Sequence, residues 1–101
     1  SVSFEPETVL KRDDVIWGFD FLPDGNAIFT ERGGKMVILD VKTKKTTELK
    51  GIPAVYTAGQ AGLLDVRVHP DFTKNSLIYF SYSEPHEKGK STTAVARAEL
   101  K

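Results

Sequence analysis

The sequence contains no cysteine among its 101 residues. A disulfide framework and a zinc site built on thiolates are therefore both excluded. Cysteine usage is also the compositional signal for a redox compartment, so composition leaves the compartment undetermined.

Neither an excess of charge nor a long apolar run is present. Fourteen basic residues balance fourteen acidic ones, so no field of one sign exists to attract nucleic acid or an anionic membrane surface. The apolar runs are a few residues long, far short of the roughly 20 that a membrane-spanning helix needs. The stretch "SVSFEPETVL" lacks the basic and apolar regions of a signal peptide, although a removed leader would leave no trace. We expect no nucleic-acid partner and no membrane span.

What is present is a succession of short alternating segments separated by turn residues. The segments "IWGFDFL", "AIFTE", "KMVILDV" and "TTELK" are joined by "PDGN", "RGG" and "KTKK", which are typical connections of antiparallel strands. In "KMVILDV" both faces are apolar, which is typical of a strand covered on both sides. The last segment is polar and lysine-rich, as an exposed edge strand should be. Residues 15–50 are therefore predicted to form one four-stranded propeller blade.

A second unit repeats the first. Aligning "GFDFLPDGNAIFT" with "DVRVHPDFTKNSLIYFS" places Pro23 over Pro70, an offset of 47 residues, within the range of about 40–50 for one blade. The segment "TTAVARAEL" alternates and is taken as a third strand despite its helix propensity. Residues 61–101 are predicted to form a second blade without its outer strand. The segment "SFEPETVLK" is predicted to be an edge strand, because Pro6 has no backbone N–H donor and an edge strand can do without one.

The predicted fold class is thus all-β, with about two four-stranded antiparallel blades of a β-propeller. Residues 1–11 are assigned as the outer closing strand of a blade. No closed propeller of fewer than about four blades is expected, so this chain does not complete a ring alone. It is expected to be either a fragment or an oligomer-forming unit.

The ordered runs "WGFDFLPDGNAIFTERGGKM", "IPAVYTAGQAGLLDVRVHPDF", "IYFSYSEP" and "TAVARAEL" resemble the N-terminal part of the soluble quinoprotein sugar dehydrogenases. This is the glucose/sorbosone dehydrogenase family of six-bladed propellers. "LPDG" alone recurs in many propellers, whereas the "GQxGLLD…HPDF" block is much more specific. The resemblance implies a periplasmic or secreted enzyme that oxidises the C1 hydroxyl of aldose sugars with pyrroloquinoline quinone, held by calcium, and passes electrons to an external acceptor.

The resemblance also implies a role for the turn that opens the second unit. Gln60 matches a family glutamine that hydrogen-bonds the quinone, and Gly59 beside it lets the backbone approach the cofactor. An amide suits this task because it offers both a donor and an acceptor to a ring bearing carbonyls and carboxylates. The alternative interpretation is that Gln60 only satisfies backbone groups of the turn.

By the same resemblance, the catalytic histidine, the basic residues that bind the quinone and the calcium ligands all lie in later blades. We therefore assign no catalytic residue and no metal ligand to this chain, and expect it to bind no cofactor by itself. His69, at the end of a strand, is expected to be structural or exposed. His86 lies in a polar loop, where a metal site of Glu84, His86 and Glu87 is conceivable but loop charges are the better explanation.

Other charged positions are expected to be structural. Asp13-Asp14 precedes a strand, where paired acids are usually solvated turn residues although contact with calcium is conceivable. Asp65 lies in an otherwise apolar strand and needs a partner, either Arg67 on the same face or a backbone amide. Glu31-Arg32 ends the second strand and is expected to pair locally.

Two functions remain open at this point. The chain is either the N-terminal portion of a quinoprotein sugar dehydrogenase, inactive by itself, or a non-catalytic propeller module used for assembly or extracellular recognition. The partners of the complete enzyme would be an aldose and an electron acceptor. A homo-oligomer is also conceivable, in which the strand "SFEPETVLK" of one copy completes the second blade of the next and three copies close a ring.

Overall fold

The computed structural model describes residues 3–101, and these form two antiparallel sheets. The first sheet has the order β1-β2-β3-β4 and the second the order β5-β6-β7. The strands are β1 (Ile16–Phe21), β2 (Ala27–Glu31), β3 (Lys35–Leu39), β4 (Thr46–Glu48), β5 (Leu63–Val68), β6 (Leu77–Pro85) and β7 (Ser91–Glu99). The helical elements are one turn each, α1 (Phe72–Asn75) and a 3-10 turn at Glu87–Gly89. The all-β expectation is confirmed.

Turn chemistry explains the first hairpins. In the β1–β2 turn the Asp24 carboxylate accepts a hydrogen bond from the Asn26 amide at 2.9 Å, and Gly25 adopts φ +90°. After β2, the Gly34 amide donates to the Glu31 carbonyl at 2.9 Å. These local contacts reverse the chain tightly, so consecutive strands pair as a meander.

The faces of β3 pack against two different clusters. Met36 and Ile38 contact the core that lies between the two sheets. Val37 and Leu39 belong to a cluster on the outer face of the first sheet. The prediction that this strand is covered on both sides is confirmed, and β4, whose residues are all exposed, is the predicted polar edge.

The two sheets lie beside each other through their first strands, which run in the same direction. The Val68 amide donates to the Asp20 carboxylate at 2.8 Å, and the Thr30 hydroxyl donates to the Leu64 carbonyl. A Cβ added at Gly18 would lie 3.1 Å from the Cα of Asp65, which is tighter than ordinary van der Waals contact, so glycine at this position favours the close approach of β1 to β5. The two sheets, of four and three strands, are thus adjacent.

The second sheet has three strands, and β7 is a strand rather than a helix. Its residues pair with β6 from Leu77 opposite Glu99 to Pro85 opposite Ser91. Alternation along the segment outweighs the helix propensity of its alanines, because Ala94 and Ala96 pack against the core between the sheets. Among the described residues, no fourth strand pairs with this sheet.

The edge strand expected over "SFEPETVLK" is not formed, so that expectation was wrong for this chain. Residues 3–11 pair with no strand, and Leu10 instead packs on the outer cluster of the first sheet. A strand needs a neighbouring edge for its hydrogen bonds, and within the described residues this segment meets none. The assignment of residues 1–11 as a closing strand in an assembly stays a prediction, and residues 1–2 lie outside the described range.

Strand direction divides the connections between two ends of the sheets. We call the end where β1 and β5 begin the upper end; it carries residues 32–34, the connection 49–62 and residues 86–90. The lower end carries residues 22–26, 40–45 and 69–76. Neither helical element of the described chain is long and apolar enough to cross a membrane.

Candidate functional site

The turn that carries Gln60 lies at the upper end, just before β5. The Ala61 amide donates to the Ala58 carbonyl at 2.9 Å, which closes the turn. Gly59 adopts φ +60°, a left-handed conformation that favours glycine. Gln60 is exposed at the tip of this turn.

The second sheet fixes the connection from one side through Ser83, a buried residue of β6. The Gly62 amide donates to the Ser83 hydroxyl at 3.2 Å. The Ser83 amide donates to the Gly62 carbonyl at 2.8 Å, and the Tyr56 amide donates to the Ser83 carbonyl at 2.7 Å. Three hydrogen bonds to one buried residue therefore tie both ends of the segment 56–62 to β6.

The first sheet fixes the same connection from the other side through Arg32. Its guanidinium Nη1 donates to the Gly59 carbonyl, and its backbone carbonyl accepts from the Leu63 amide at 2.9 Å. A Cβ at Gly62 would collide with the Arg32 backbone and with its side-chain Cγ. The glycine at this position is thus required by the close approach of the two sheets.

Among the described residues, which exclude residues 1–2 and the side chain of Lys88, the side chain of Gln60 has no hydrogen-bond partner. The hydrogen bonds that close and anchor its turn come from backbone groups, Ser83 and Arg32 instead. The interpretation in which Gln60 only satisfies turn backbone groups therefore has no contact to support it. The amide presents its donor and its acceptor to solvent at the upper end, and its assignment to a cofactor stays a prediction.

Asp14 closes the upper end of the first sheet. One carboxylate oxygen accepts from the Val15 amide at 2.7 Å and the other from the Gly33 amide at 2.8 Å. The hydrogen bond from Val15, followed by that from Gly33, lowers the pKa of this carboxyl. Asp14 therefore orders the turn that carries Arg32. Asp14 is not part of a metal cluster, because within residues 3–101 no three acidic or histidine side chains lie together.

The expectation that Glu31-Arg32 pairs locally was wrong. Glu31 is buried, with 3% of its side chain exposed, and accepts two hydrogen bonds from Arg12 at 3.1 and 2.9 Å, 19 residues away. The Arg12 guanidinium also lies 5.7 Å from the centre of the Phe29 ring. Arg32 bonds Gly59, 27 residues away. A buried carboxylate needs a charged partner, and for Glu31 this partner is Arg12 of the N-terminal segment.

His69 is a structural residue at the lower end, opposite Gln60. Its Nδ1 accepts from the Asp71 amide at 2.9 Å and lies 3.1 Å from the Asn75 side-chain nitrogen. The ring stacks on Tyr79 with centroids 6.0 Å apart. These contacts agree with the structural interpretation of His69.

His86 lies at the upper end but at the tip of the outer β6–β7 hairpin. Its Nε2 lies 2.7 Å from the Thr92 hydroxyl and 3.6 Å from Glu84. Both side chains of the His86–Glu84 pair are about half exposed. The contacts are those of loop charges, which was the preferred interpretation.

Asp65 has both of the partners that its sequence position suggested. Its Oδ1 accepts from the Val66 amide at 2.9 Å, and its Oδ2 lies 3.5 Å from Arg67. The pair is exposed enough that it contributes little to stability. Asp65 lies beside Gly18 on the innermost strands and is structural.

Two residues of the site were missed by the sequence reasoning. Ser83 lies in "SYSEP", where nothing distinguishes it from Ser81. Arg32 was noticed only as a local partner of Glu31. The signal that was available is the pair Gly59 and Gly62 around Gln60, because glycines at this spacing indicate that other groups approach the backbone closely.

Comparisons with known proteins give this geometry a family. A model of the family described as Glucose / Sorbosone dehydrogenase matches residues 13–101. The aldose sugar dehydrogenase YliI of Escherichia coli K12 is 38% identical over 95 residues, which cover 93% of this chain and 26% of that protein.

Solved structures agree. The soluble aldose sugar dehydrogenase of Escherichia coli in its apo-form has a TM-score of 0.81 and 39% identity, over 87% of this chain and 26% of its own. The PQQ-bound form of the aldose sugar dehydrogenase from Streptomyces coelicolor has a TM-score of 0.76 and 26% identity, over 90% of this chain and 26% of its own. The chain spans about a quarter of the length of these relatives. The expected propeller class, with about two blades in this chain, is confirmed.

Proposed function

The chain belongs to the glucose/sorbosone dehydrogenase family, and on that premise we propose that it supplies two blades of a quinoprotein that oxidises aldose sugars at C1 with pyrroloquinoline quinone. The partners of the complete protein are an aldose and an external electron acceptor, and its location is periplasmic or secreted. When bound, the quinone supplies the two-electron acceptor for the sugar hydroxyl.

The observation that carries this proposal is the Gln60 amide on its anchored turn. The side chain is exposed and has no partner within the described range, while Ser83 and Arg32 hold the backbone around it. A quinone with carbonyl and carboxylate groups needs both donors and acceptors. The residues present therefore fit the cofactor, with Gln60 as a side-chain contact and Gly59 as the point where the backbone leaves room.

In this proposal the chain contributes to binding and orientation of the cofactor rather than to proton transfer. General-base catalysis needs a positioned proton acceptor. His69 lies at the opposite end and is engaged with Asp71, and His86 lies at the tip of an outer hairpin. We assign calcium binding, like the proton acceptor, to parts of the family fold that this chain does not span.

The alternative function is a non-catalytic propeller module for assembly or extracellular recognition. It is favoured by the outer face of the first sheet, where Phe19 and Phe21 are each 57% exposed and lie edge to face, 5.7 Å apart. Such a face is suited to packing against a further blade, from the same chain or from another copy. The quinone contact of Gln60 distinguishes the two functions, because a recognition module does not need it.

Quinone titration of Gln60→Ala, made in the whole natural protein that carries this sequence, tests the proposal. We expect binding to weaken about two- to tenfold for each hydrogen bond lost, with unchanged thermal stability because Gln60 is exposed. Thr57→Ala is the matched control, since it truncates another exposed polar residue of the same connection. Unchanged quinone affinity in Gln60→Ala would refute the proposed contact.

The 101 residues alone provide a second test, by reduction of a dye in the presence of aldose, quinone and calcium. We expect no turnover, because the proposal assigns the proton acceptor to a part of the family fold that this chain does not span. Quinone-dependent turnover by this chain would contradict that assignment.

A further inference from the structure

We infer that Arg32 is the residue that positions the Gln60 turn, acting across the boundary between the two sheets. Its guanidinium donates to the Gly59 carbonyl from the turn that follows β2. The consequence for cofactor affinity rests on the proposed quinone contact of Gln60, whereas the effect on the turn itself does not.

The backbone of Arg32 is held by hydrogen bonds on both sides of its side chain. Its amide donates to the Val15 carbonyl at 2.9 Å, and its carbonyl accepts from the Leu63 amide at 2.9 Å. The next amide, that of Gly33, donates to Asp14 at 2.8 Å. The backbone of Arg32 is therefore fixed to the start of β1 and to the start of β5.

The Gly59 carbonyl, which accepts the hydrogen bond from the Arg32 guanidinium, lies directly before Gln60 in the chain. The Gly59 carbonyl belongs to the same planar peptide unit as the Gln60 amide, so a hydrogen bond to this oxygen orients the peptide that leads into Gln60. Gly59 is at φ +60°, and glycine has more conformational freedom than any other residue. Two hydrogen bonds among the described residues limit this freedom, the 2.9 Å bond from the Ala61 amide to the Ala58 carbonyl and the bond from the Arg32 guanidinium to the Gly59 carbonyl.

Arginine at position 32 carries a stability cost, a buried donor without a partner, that a purely structural role would not explain. Its Nε is buried and has no hydrogen-bond partner among the described residues. A buried unpaired donor is destabilising. An apolar side chain of similar length would pack the same stem against Gly62 without that cost, but it would not bond Gly59.

Arg32→Met, made in the whole natural protein, separates positioning from stability. The variant keeps an unbranched stem, removes the unpaired Nε and removes the donor to Gly59. We expect an unchanged or slightly higher thermal midpoint. Water-exchange NMR should show the Ala61 amide exchanging about tenfold faster, as expected for loss of a charge-assisted hydrogen bond, while the Leu63 amide, which is bonded to the Arg32 backbone, is unaffected.

Two further variants complete the set. Arg32→Lys keeps a positive donor and should partly restore the protection of the Ala61 amide. Arg67→Met is the matched control, because its pair with Asp65 is exposed and remote from the turn; it should leave the turn and the quinone affinity unchanged. Unaltered exchange at Ala61 in Arg32→Met would overturn the inference, and a large loss of stability would assign Arg32 to the fold instead.

A double-mutant cycle with Gln60→Ala separates this inference from the proposed function. We expect Arg32→Met to weaken quinone binding about fivefold in the natural background and to have almost no effect when Gln60 is already alanine, because residues that act through one contact are not additive. Equal effects in both backgrounds would refute positioning through Gln60. If Gln60→Ala alone has no effect on affinity, the proposed function fails, and the exchange of Ala61 still decides whether Arg32 orders the turn.

Discussion

Substituting Met36 by alanine should uncouple the two sheets. Met36 is fully buried, with 0% of its surface exposed, and belongs to the core between the sheets together with Phe80 of β6, which is 5% exposed. Its neighbour Val37 is 1% exposed but faces the outer cluster of the first sheet. The two adjacent residues of β3 therefore report on different interfaces.

The expected magnitude follows from burial. Truncating a methionine to alanine in a packed core lowers the free energy of unfolding by about 2–5 kcal/mol. Val37→Ala removes two methyl-sized groups, at about 0.8 kcal/mol each, together with a smaller cavity. Both variants are destabilised, so the size of the loss alone does not identify the interface.

The interface is identified by coupling to Phe80→Leu, measured from urea unfolding. We expect the losses for Met36→Ala and Phe80→Leu to deviate from additivity by about 0.5–3 kcal/mol, because both side chains belong to one cluster. Val37→Ala and Phe80→Leu lie on opposite sides of the first sheet and should add within about 0.5 kcal/mol. Additive behaviour of Met36 and Phe80 would refute the reasoning that these sheets share one core.

Three other predictions concern two acidic residues and the assembly of the chain. Glu31→Gln should cost about 3 kcal/mol in urea unfolding, because it leaves the Arg12 guanidinium without its buried counter-charge, whereas Glu48→Gln in an exposed pair at 3.9 Å should cost at most about 1 kcal/mol; equal losses would contradict this ranking. The pKa of Asp14 is lowered in the folded chain, so its contribution is present above the ordinary aspartate value of about 3.9 and is lost as pH falls through the folded pKa. The stability difference from Asp14→Asn should therefore be constant near neutral pH and vanish in acid, and a difference that grows on acidification would be the wrong sign. If strand exchange closes a ring, light scattering should give three copies and deletion of residues 1–11 should abolish that mass; a stable monomer at high concentration would exclude the ring.

The strands themselves were determined by the sequence. Alternation of apolar residues and turns such as Pro23 to Gly25 are local properties, so the meander of residues 15–50 and its repeat were predictable. The two apolar faces of β3 also indicated a strand with neighbours on both sides. The turn around Gln60 was singled out because it resembles a family motif, and Gly59 beside Gln60 agreed with a close approach to the backbone.

The tertiary structure decided which distant groups meet. Glu31 and Arg32 are adjacent in sequence, yet one pairs with Arg12 and the other with Gly59, because successive residues at the end of a strand leave in different directions. The N-terminal segment has the composition of an edge strand but forms none in the described chain, since a strand also needs an edge to pair with. Local composition determines what a segment is able to form, whereas the partner it meets depends on how the sheets pack.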